Sequence, residues 1–507
     1  MKPIKNPFTD NIVSSAYMFW LCSGVYMLAW IVVPTFSISN VPIDTLEGYA
    51  WGHEWPLGTY KHPPLAAWVL EVLAILTNRA AWAHFLANEL AVITTFWAVW
   101  QTGRRITDET GALVGALLLV VIPYYNIIIP EFNPNVLQLP FWALICWSFH
   151  RAVKDNRAVD WLALGLWSAA SLYTKYSSAL LLASLLGLML YHPDARKRFT
   201  SRGPWLTILT ASILLLPHIV WLLKNNFIPF TYAEDRFEHL PYGPAFLVVP
   251  AMFIFWQAST LLPAIFVYGI SFGRPHAQKK GSISFDKVFL YCITFGPALL
   301  ACLIAMLTGG AIRNMWATPF WNFIGLWAVF SFHPDLSLKK LRRFAYLSSF
   351  IFIIGLTGFF SIEALAPYVT HKVKRINFSG QRVAEQISKT WHERYHTPLL
   401  YVVGDTWIGG NIAYYAPDRP HQLTDGNFKI SPWVNPEDIN KYGGVIVWCG
   451  IHCDQQDEAK TPAYIHTLFP QAEIQPPLTF PQQTGASVPF AMVEWAILPP
   501  QSPKNAP

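Results

Sequence analysis

Charged side chains are scarce in this chain of 507 residues. Only 13% of the residues are Asp, Glu, Lys or Arg, about half of the roughly 25% that soluble domains carry. Because 53% of the residues are hydrophobic, the composition excludes an ordinary soluble domain and favours a membrane protein. The formal net charge of +6 is small for this length, so nucleic acid is not expected as a partner.

Cysteines are few, and most of them are unremarkable in context. Four of the six lie in apolar runs, where a lone cysteine is usually a small buried hydrophobe; these are Cys22, Cys146, Cys292 and Cys302. Cys449 and Cys453 lie close together in a polar region. They form either a disulfide in an oxidising compartment or two free thiols, and the pair alone offers too few ligands for a metal.

Long apolar runs account for most of the chain. A helix needs about 20 residues to cross a bilayer, and eleven runs approach that length. They lie at about 12–34, 82–101, 111–129, 136–150, 158–174, 177–191, 205–223, 245–271, 288–307, 312–332 and 344–366. The first follows a basic, polar start and is expected to be an uncleaved signal anchor. The shorter stretch 63–78 begins with Pro-Pro and is predicted to be a helix at the membrane surface.

The basic residues predict the orientation of these helices. If the N-terminus is cytoplasmic, most Lys and Arg fall in cytoplasmic segments, as the positive-inside rule requires. The opposite loops then hold only Lys61, Arg79, Lys175, Lys224, Arg236 and Arg313. An odd number of crossings places everything after about residue 367 outside the cytoplasm.

The composition changes near residue 366, where the chain becomes polar and rich in Pro, Gly and Asn. LLYVVG and GGVIVWCG are typical of buried strands, and GDTWIGGNIAYYA between them is typical of a turn and a helix. These elements predict a small α/β domain. Its glycines do not match the G-x-G-x-x-G dinucleotide fingerprint and are interpreted as turn formers.

The first outer loop, at about 35–81, is dense in titratable and aromatic residues. Asp44 and Glu47 are three positions apart and would share one face of a helix, where a carboxylate can accept a proton from a hydroxyl or hold a divalent cation. Lys61 could neutralise a phosphate and His62 could hydrogen-bond it. The composition alone allows a second interpretation, in which these are only solvated loop residues.

The stretch DTLEGYAWGHEWPLGTYKHPPLAAW resembles the first periplasmic loop of the bacterial family 39 glycosyltransferases, and HPPL is its most specific part. These enzymes are relatives of the protein O-mannosyltransferases and of the lipid A aminoarabinose and galacturonic acid transferases. YTKYSSALLL at 173–182 and GGAIRNMWATPFW at 309–321 resemble two further segments of that family. The resemblance covers roughly residues 1–370.

The resemblance implies a mainly α, polytopic membrane protein with the GT-C fold. Residues 1–366 would form a bundle of about eleven transmembrane helices with the catalytic loop at its outer face, and 367–507 an extracytoplasmic α/β domain. The enzyme would sit in the bacterial inner membrane, with its N-terminus in the cytoplasm and its C-terminal domain in the periplasm. It would move a sugar from a polyprenyl-phosphate carrier to a lipid, glycan or protein acceptor, with inversion.

The resemblance also assigns roles to residues of this chain. Asp44 is the expected general base, with Glu47 beside it. The residues expected to bind the donor phosphate are Lys61, His62, Lys175 and Arg313, and those expected to bind substrate are Tyr60, Glu131, Asn133, Arg236 and Trp316. PEFNPN at 130–135 departs from many relatives, because a familiar Asp is replaced by Asn133 or Asn135. No cofactor is firmly expected, and a divalent cation, if one binds, is expected at Asp44 and Glu131.

Two other functions compete with transfer. A transporter or lipid flippase would show paired repeats and ionisable groups at mid-membrane, whereas here the titratable cluster lies in an outer loop and no repeat is evident. An inactive scaffold would keep the helices but has no need of the loop motif. The acidic and basic residues of 232–239 bind substrate or merely border the site. His218 lies in an apolar run, where a polar group is often functional, but it is left outside the site because a histidine near a proline-broken turn can instead satisfy a freed backbone carbonyl.

Overall fold

The computed structural model describes residues 14–236, 245–273, 284–310, 312–370, 374–451, 467–479 and 492–501. The first part of the chain is helical. Its α-helices are α1 Ser15–Ser37, α2 Ile43–His53, α3 Leu65–Thr77, α4 Ala83–Ile106, α5 Glu109–Leu117, α6 Pro134–Asp155, α7 Ala158–Thr174, α8 Ala179–Tyr191, α9 Pro193–Arg196, α10 Gly203–Lys224, α11 Ile228–Arg236, α12 Ala245–Phe272, α13 Phe285–Thr308, α14 Ile324–Phe332, α15 Leu338–Phe360 and α16 Ala366–Thr370.

As far as it is described, the last part of the chain combines helices with a sheet. The helices are α17 Gly380–Tyr395, α18 Ile408–Tyr415 and α19 Pro436–Tyr442, and the strands are β1 Tyr401–Gly404, β2 His421–Thr424, β3 Gly444–Ile451, β4 Glu473–Ile474, β5 Leu478–Thr479 and β6 Met492–Leu498. The sheet has the order β2-β1-β3-β6-β4, with β5 also paired to β6. β1 is parallel to β2 and β3, whereas β6 is antiparallel to β3.

These elements confirm the predicted class, a mainly helical membrane protein with a small C-terminal α/β part. Large apolar side chains cover the outer faces of α10 and α12, as is expected where lipid rather than water surrounds a helix. The predicted boundary after residue 366 falls inside a helical stretch that continues from Leu338 to Thr370. Cys449 is disulfide-bonded, while Cys453 lies outside the described residues.

Not every one of the eleven apolar runs forms a single long, wholly apolar helix. Within the described residues, five helices are long and apolar enough to cross a bilayer alone, or six if the bent pair 176–191 and 193–200 is one span. The runs at 111–129 and 312–332 are not single helices. The first becomes 3₁₀ turns after Leu117, and the second begins as a 3₁₀ helix, Asn314–Trp321. Pro123 and Pro319 lie in these breaks, where the missing N–H prevents a regular α-helix.

The first outer loop shares a hydrophobic core with the C-terminal part. Leu46 and Tyr49 of α2 and Leu70 of α3 belong to the same buried cluster as Val402 and Trp391. Tyr49 stacks on Tyr414 of α18 with ring centroids 4.4 Å apart. The sheet and α17–α18 therefore hold α2 in place from one side, while the helical bundle holds it from the other.

Gly52 allows α2 and α3 to pack closely. A Cβ at this position would lie 2.4 Å from the carbonyl oxygen of Ala67, a backbone atom that cannot rotate away. We expect Gly52→Ala to lower the free energy of unfolding by about 1–3 kcal/mol because the two helices must separate. Thermal unfolding of the purified protein measures this change.

Gly187→Ala provides the control for this substitution. Gly187 is also helical, and a Cβ there has nothing within 4 Å, so this variant should unfold at the wild-type temperature or slightly above it. Equal unfolding temperatures for Gly52→Ala and Gly187→Ala would contradict the close packing of α2 on α3.

Candidate active site

A cavity of about 420 Å³ lies beside the first turn of α2. Its walls come from α2, the start of α3, the segment before α6, the turn between α7 and α8, α11, and the segment that precedes α14. Eight of the residues that the sequence singled out line it together: Asp44, Glu47, Lys61, His62, Asn133, Lys175, Arg313 and Trp316. These residues come from four segments that are far apart in the chain, and the fold brings the segments together around one cavity.

Three other predicted residues do not line this cavity. Tyr60 and Glu131 stand behind it, and each contacts a residue of α2. Arg236 ends α11, and its side chain is outside the described structure. Within the 232–239 cluster, Tyr232 lines the cavity, whereas Glu238 and His239 lie outside the described residues.

Glu47 and Lys61 form an ion pair in the cavity wall, with Lys61 Nζ 2.8 Å from Glu47 Oε2. Tyr60 Oη donates a second, longer hydrogen bond of 3.4 Å to Glu47 Oε1. Burial raises the pKa of Glu47 and would lower that of Lys61, but Glu47 and Asp44 together hold the pKa of Lys61 above its ordinary value. The carboxylates of Glu47 and Asp44 therefore keep Lys61 charged. Because Glu47 pairs with it directly, the charge of Lys61 is already largely neutralised.

Asp44 lies in the first turn of α2, and Glu131 packs against its backbone. Glu131 Oε1 accepts a hydrogen bond from the Asp44 N–H at 3.1 Å, and Thr45 Oγ1 donates to the Phe132 carbonyl at 3.0 Å. Burial and the neighbouring Asp44 charge raise the pKa of Glu131 to about 7. The PEFNPN segment therefore fixes the start of α2 and places beside Asp44 a second carboxyl that exchanges its proton near neutral pH.

Lys175 supplies a different kind of cation. It lies between α7 and α8, its Nζ donates to Asn135 Oδ1, and it sits 5.7 Å from the ring centroid of Trp316. No carboxylate of the described residues lies within ion-pair distance of it. Burial lowers the pKa of Lys175 to about 7; the neighbouring Asp44 charge opposes this lowering, and Lys61 adds a smaller lowering of its own. The ammonium of Lys175 is therefore available to form an ion pair with an anion that enters the cavity.

His62 and Arg313 complete the polar lining. Burial, and then the positive charges of Lys175 and Lys61, hold the pKa of His62 well below its usual value. His62 is therefore neutral at pH 7 and acts as a hydrogen-bonding group rather than as a cation. Arg313 is exposed at the edge of the cavity, where a guanidinium can bind a phosphate through two parallel hydrogen bonds.

A set of residues around the cavity was not predicted from the sequence. Tyr176 and Ser177 line it directly, and both lie in the YTKYSS segment that had pointed only to Lys175. His218 links two elements behind the cavity, since Nε2 contacts Tyr176 Oη at 3.0 Å and Nδ1 contacts the Leu57 carbonyl at 2.7 Å. The sequence had left His218 outside the site, because a histidine near a proline can also serve only to bond a backbone carbonyl.

The carboxylates and amides here make a poor metal site. A hard cation such as Mg²⁺ or Ca²⁺ takes six or more oxygen ligands. One oxygen of Glu131 is already bonded to the α2 backbone, and Asn133 Oδ1 caps α6 by accepting from the N–H groups of Asn135 and Val136. Few protein oxygens around Asp44 are therefore free of other bonds among the described residues, and no step of the chemistry below passes through a metal.

Comparison with known proteins gives relatives with named activities. The family described as dolichyl-phosphate-mannose-protein mannosyltransferase matches residues 61–221. The lipopolysaccharide core galacturonosyltransferase RgtA of Rhizobium johnstonii is 22% identical over 424 residues, which is 80% of this chain and 82% of that protein. RgtB of the same organism, with the same description, is 22% identical over 450 residues, 85% and 87% of the two chains.

Solved structures share the fold along the whole chain. The structure of ArnT from Cupriavidus metallidurans bound to undecaprenyl phosphate has a TM-score of 0.62 at 12% identity, and covers 98% of this chain and 100% of that one. The arabinofuranosyltransferase AftD from mycobacteria has a TM-score of 0.51 at 12% identity, over 96% of this chain and 40% of that one. At these identities the likeness concerns the fold.

Proposed function

We propose that this chain, a glycosyltransferase of the GT-C type, moves a sugar from a polyprenyl-phosphate carrier to a hydroxyl of an envelope lipid or glycan. The observation that carries the proposal is a single cavity with a carboxylate, Asp44, and a half-buried ammonium, Lys175, that has no carboxylate partner among the described residues. The bound undecaprenyl phosphate of ArnT supports the class of donor. The names of RgtA and of the lipid A galacturonosyltransferase RgtD support a lipopolysaccharide acceptor.

The proposed reaction assigns opposite tasks to the two charged groups. Asp44 takes the proton of the acceptor hydroxyl, and the freed oxygen attacks the anomeric carbon of the donor sugar. The bond from that carbon to the carrier phosphate breaks on the opposite face, so the configuration inverts. The phosphodiester leaves as a phosphomonoester with one more negative charge, which Lys175 and Arg313 stabilise.

The cavity is proposed to face the periplasm. The 24 residues of α4 span about 36 Å. His84 in its first turn lines a second cavity with Tyr414 and Tyr415 of the C-terminal part, while Arg104 and Arg105 lie in its last turn. The positive-inside rule puts the arginine end in the cytoplasm. Single cysteines introduced at Asp438 and at Arg104 check this orientation in intact cells. A membrane-impermeant reagent should label the cysteine at position 438 and should not label the one at position 104.

A reconstituted transfer assay tests the function. Purified protein in proteoliposomes would receive undecaprenyl-phosphate-linked galacturonic acid, aminoarabinose or hexose together with lipid A or lipopolysaccharide core. Mass spectrometry should show one acceptor gaining the mass of one sugar, and the names of the relatives make galacturonic acid the first donor to try. Movement of donor across the bilayer without any product would instead indicate a flippase.

Lys175 predicts how donor binding depends on pH. With a pKa of about 7, Lys175 is charged below pH 7 and loses its charge as the pH rises above it. The KM for the donor should therefore rise on the alkaline side of pH 7. Lys175→Met should raise this KM roughly 10- to 100-fold at pH 6, the value of a charge-assisted hydrogen bond.

Lys175→Arg serves as the matched variant. A guanidinium stays protonated throughout this range, so the alkaline rise in KM should flatten while donor binding at pH 6 persists. The same alkaline rise in wild type and Lys175→Arg would assign the pH dependence to another group.

A further inference from the structure

We infer that His53, Glu54 and His421 form a divalent-metal site, of the kind that takes Zn²⁺, between α2 and the C-terminal sheet. One ligand atom of each residue lies within 4.8 Å of the other two. His53 and Glu54 stand at the C-terminal end of α2, and His421 begins β2. None of the three lines the cavity beside Asp44, so the site is separate from the proposed transfer reaction.

The donor types and their geometry suit zinc. Two imidazoles and one carboxylate are a frequent zinc ligand set, and they leave a fourth position for water. His421 Nδ1 is 2.8 Å from Glu54 Oε1, and the rings of His53 and His421 stack with centroids 5.4 Å apart and planes at 29°.

Small side-chain rotations would bring the three ligand atoms to the spacing that a zinc ion requires. Ligand atoms on one tetrahedral zinc ion are about 3.3 Å apart, given bonds of about 2.0–2.1 Å. The side chains of His53 and His421 are 28% and 40% exposed, so both can turn toward an ion without disturbing the core. Glu54 is only 7% exposed and is the fixed ligand.

Glu71 and Arg419 lie behind His53 and orient its ring. Glu71 Oε1 lies 3.8 Å from His53 Nδ1, which leaves Nε2 for a metal, and a carboxylate behind a histidine is the usual arrangement at zinc sites. Arg419 binds both oxygens of Glu71, at 2.8 and 2.7 Å. This ion pair holds the Glu71 carboxylate in place behind His53.

The inferred metal joins parts of the chain that are distant in sequence. Glu54 and His421 are 367 residues apart. A bound ion would fix the end of α2 to the sheet, and the first turn of this same helix carries Asp44. The site is therefore expected to stabilise the C-terminal part against the outer loop.

Metal binding to the full-length protein in detergent tests the inference. After treatment with a chelator, the wild type should bind one Zn²⁺ per chain, and Co²⁺ should give the visible absorption of a tetrahedral site that Zn²⁺ abolishes. His53→Asn and His421→Asn should each weaken Zn²⁺ binding more than tenfold, with unfolding temperatures in chelator close to that of the wild type.

His392→Asn is the matched control. His392 pairs with Asp418 at 2.6 Å, a contact like that of His421 with Glu54, but it belongs to no metal-binding group of the described residues. This variant should bind Zn²⁺ as the wild type does. The inference is overturned if wild-type protein binds no Zn²⁺ and gives no tetrahedral Co²⁺ spectrum, or if His53→Asn and His421→Asn bind as tightly as His392→Asn.

Discussion

Asp44→Asn should lower the rate of sugar transfer by about 10²–10⁴-fold, the usual contribution of a general base. The amide is nearly the same size as the carboxylate but cannot accept the proton of the acceptor hydroxyl. Because Glu131 contacts the backbone N–H of residue 44 and not its side chain, the packing of α2 should be unaffected. Single-turnover transfer with saturating donor measures the effect on the chemical step.

Two further variants make this prediction specific. Asp438→Asn changes a partly exposed acid on α19 that does not line the cavity, and it should transfer at the wild-type rate. Glu131→Gln keeps the size of the side chain and should cost far less than Asp44→Asn, because the proposed role of Glu131 is to position α2. A wild-type rate in Asp44→Asn, or a larger loss in Glu131→Gln, would assign the base to another residue.

Arg419→Met should destabilise the contact between the outer loop and the C-terminal part by about 3–5 kcal/mol, the cost of leaving a buried charge unpaired. Glu71 is only 3% exposed, and Arg419 is its bidentate partner. Burial alone would raise the pKa of Glu71, but Arg419 and His53 lower it to about 2. Denaturant unfolding in the presence of a chelator, followed by tryptophan fluorescence, measures the loss.

Matched variants separate the buried pair from an ordinary surface pair. The double variant Glu71→Met/Arg419→Met removes both charges and should recover most of the lost stability. Arg394→Met breaks a pair of similar length, 2.6 Å to Glu473, whose partners are about 42% and 43% exposed, and it should cost less than about 1 kcal/mol. Equal losses for Arg419→Met and Arg394→Met would mean that the buried pair does not hold the two parts together.

The sequence identified many of the residues that line the cavity, but it did not indicate which of their charges form ion pairs. The DTLEGYAW, YKHPPL, YTKYSS and GGAIRNMW segments pointed to Asp44, Lys61, Lys175 and Arg313, and these residues do share one cavity. The sequence could not show that Glu47 balances Lys61 while no described carboxylate pairs with Lys175. That difference depends on side-chain distances of a few ångströms between separate segments.

Contacts across the chain were also beyond sequence reasoning. His53 and Glu54 lie in the titratable first outer loop but had no role assigned to them, and His421 had none either, because nothing local in the sequence indicates that β2 begins beside the end of α2. Hydropathy predicted the helical class correctly, but it could not show that the apolar runs around Pro123 and Pro319 are broken by short 3₁₀ segments. Apolar composition measures burial or lipid exposure and does not measure helix length.

Binding of undecaprenyl phosphate to the purified protein is the most direct test of the proposed site. Native mass spectrometry should show one lipid per wild-type chain. Lys175→Met should weaken this binding roughly 10- to 100-fold, while Lys224→Met, which removes an exposed lysine at the end of α10 outside the cavity lining, should leave it unchanged. No binding by the wild type, or equal binding by Lys175→Met and Lys224→Met, would show that the cavity beside Asp44 does not hold the carrier phosphate.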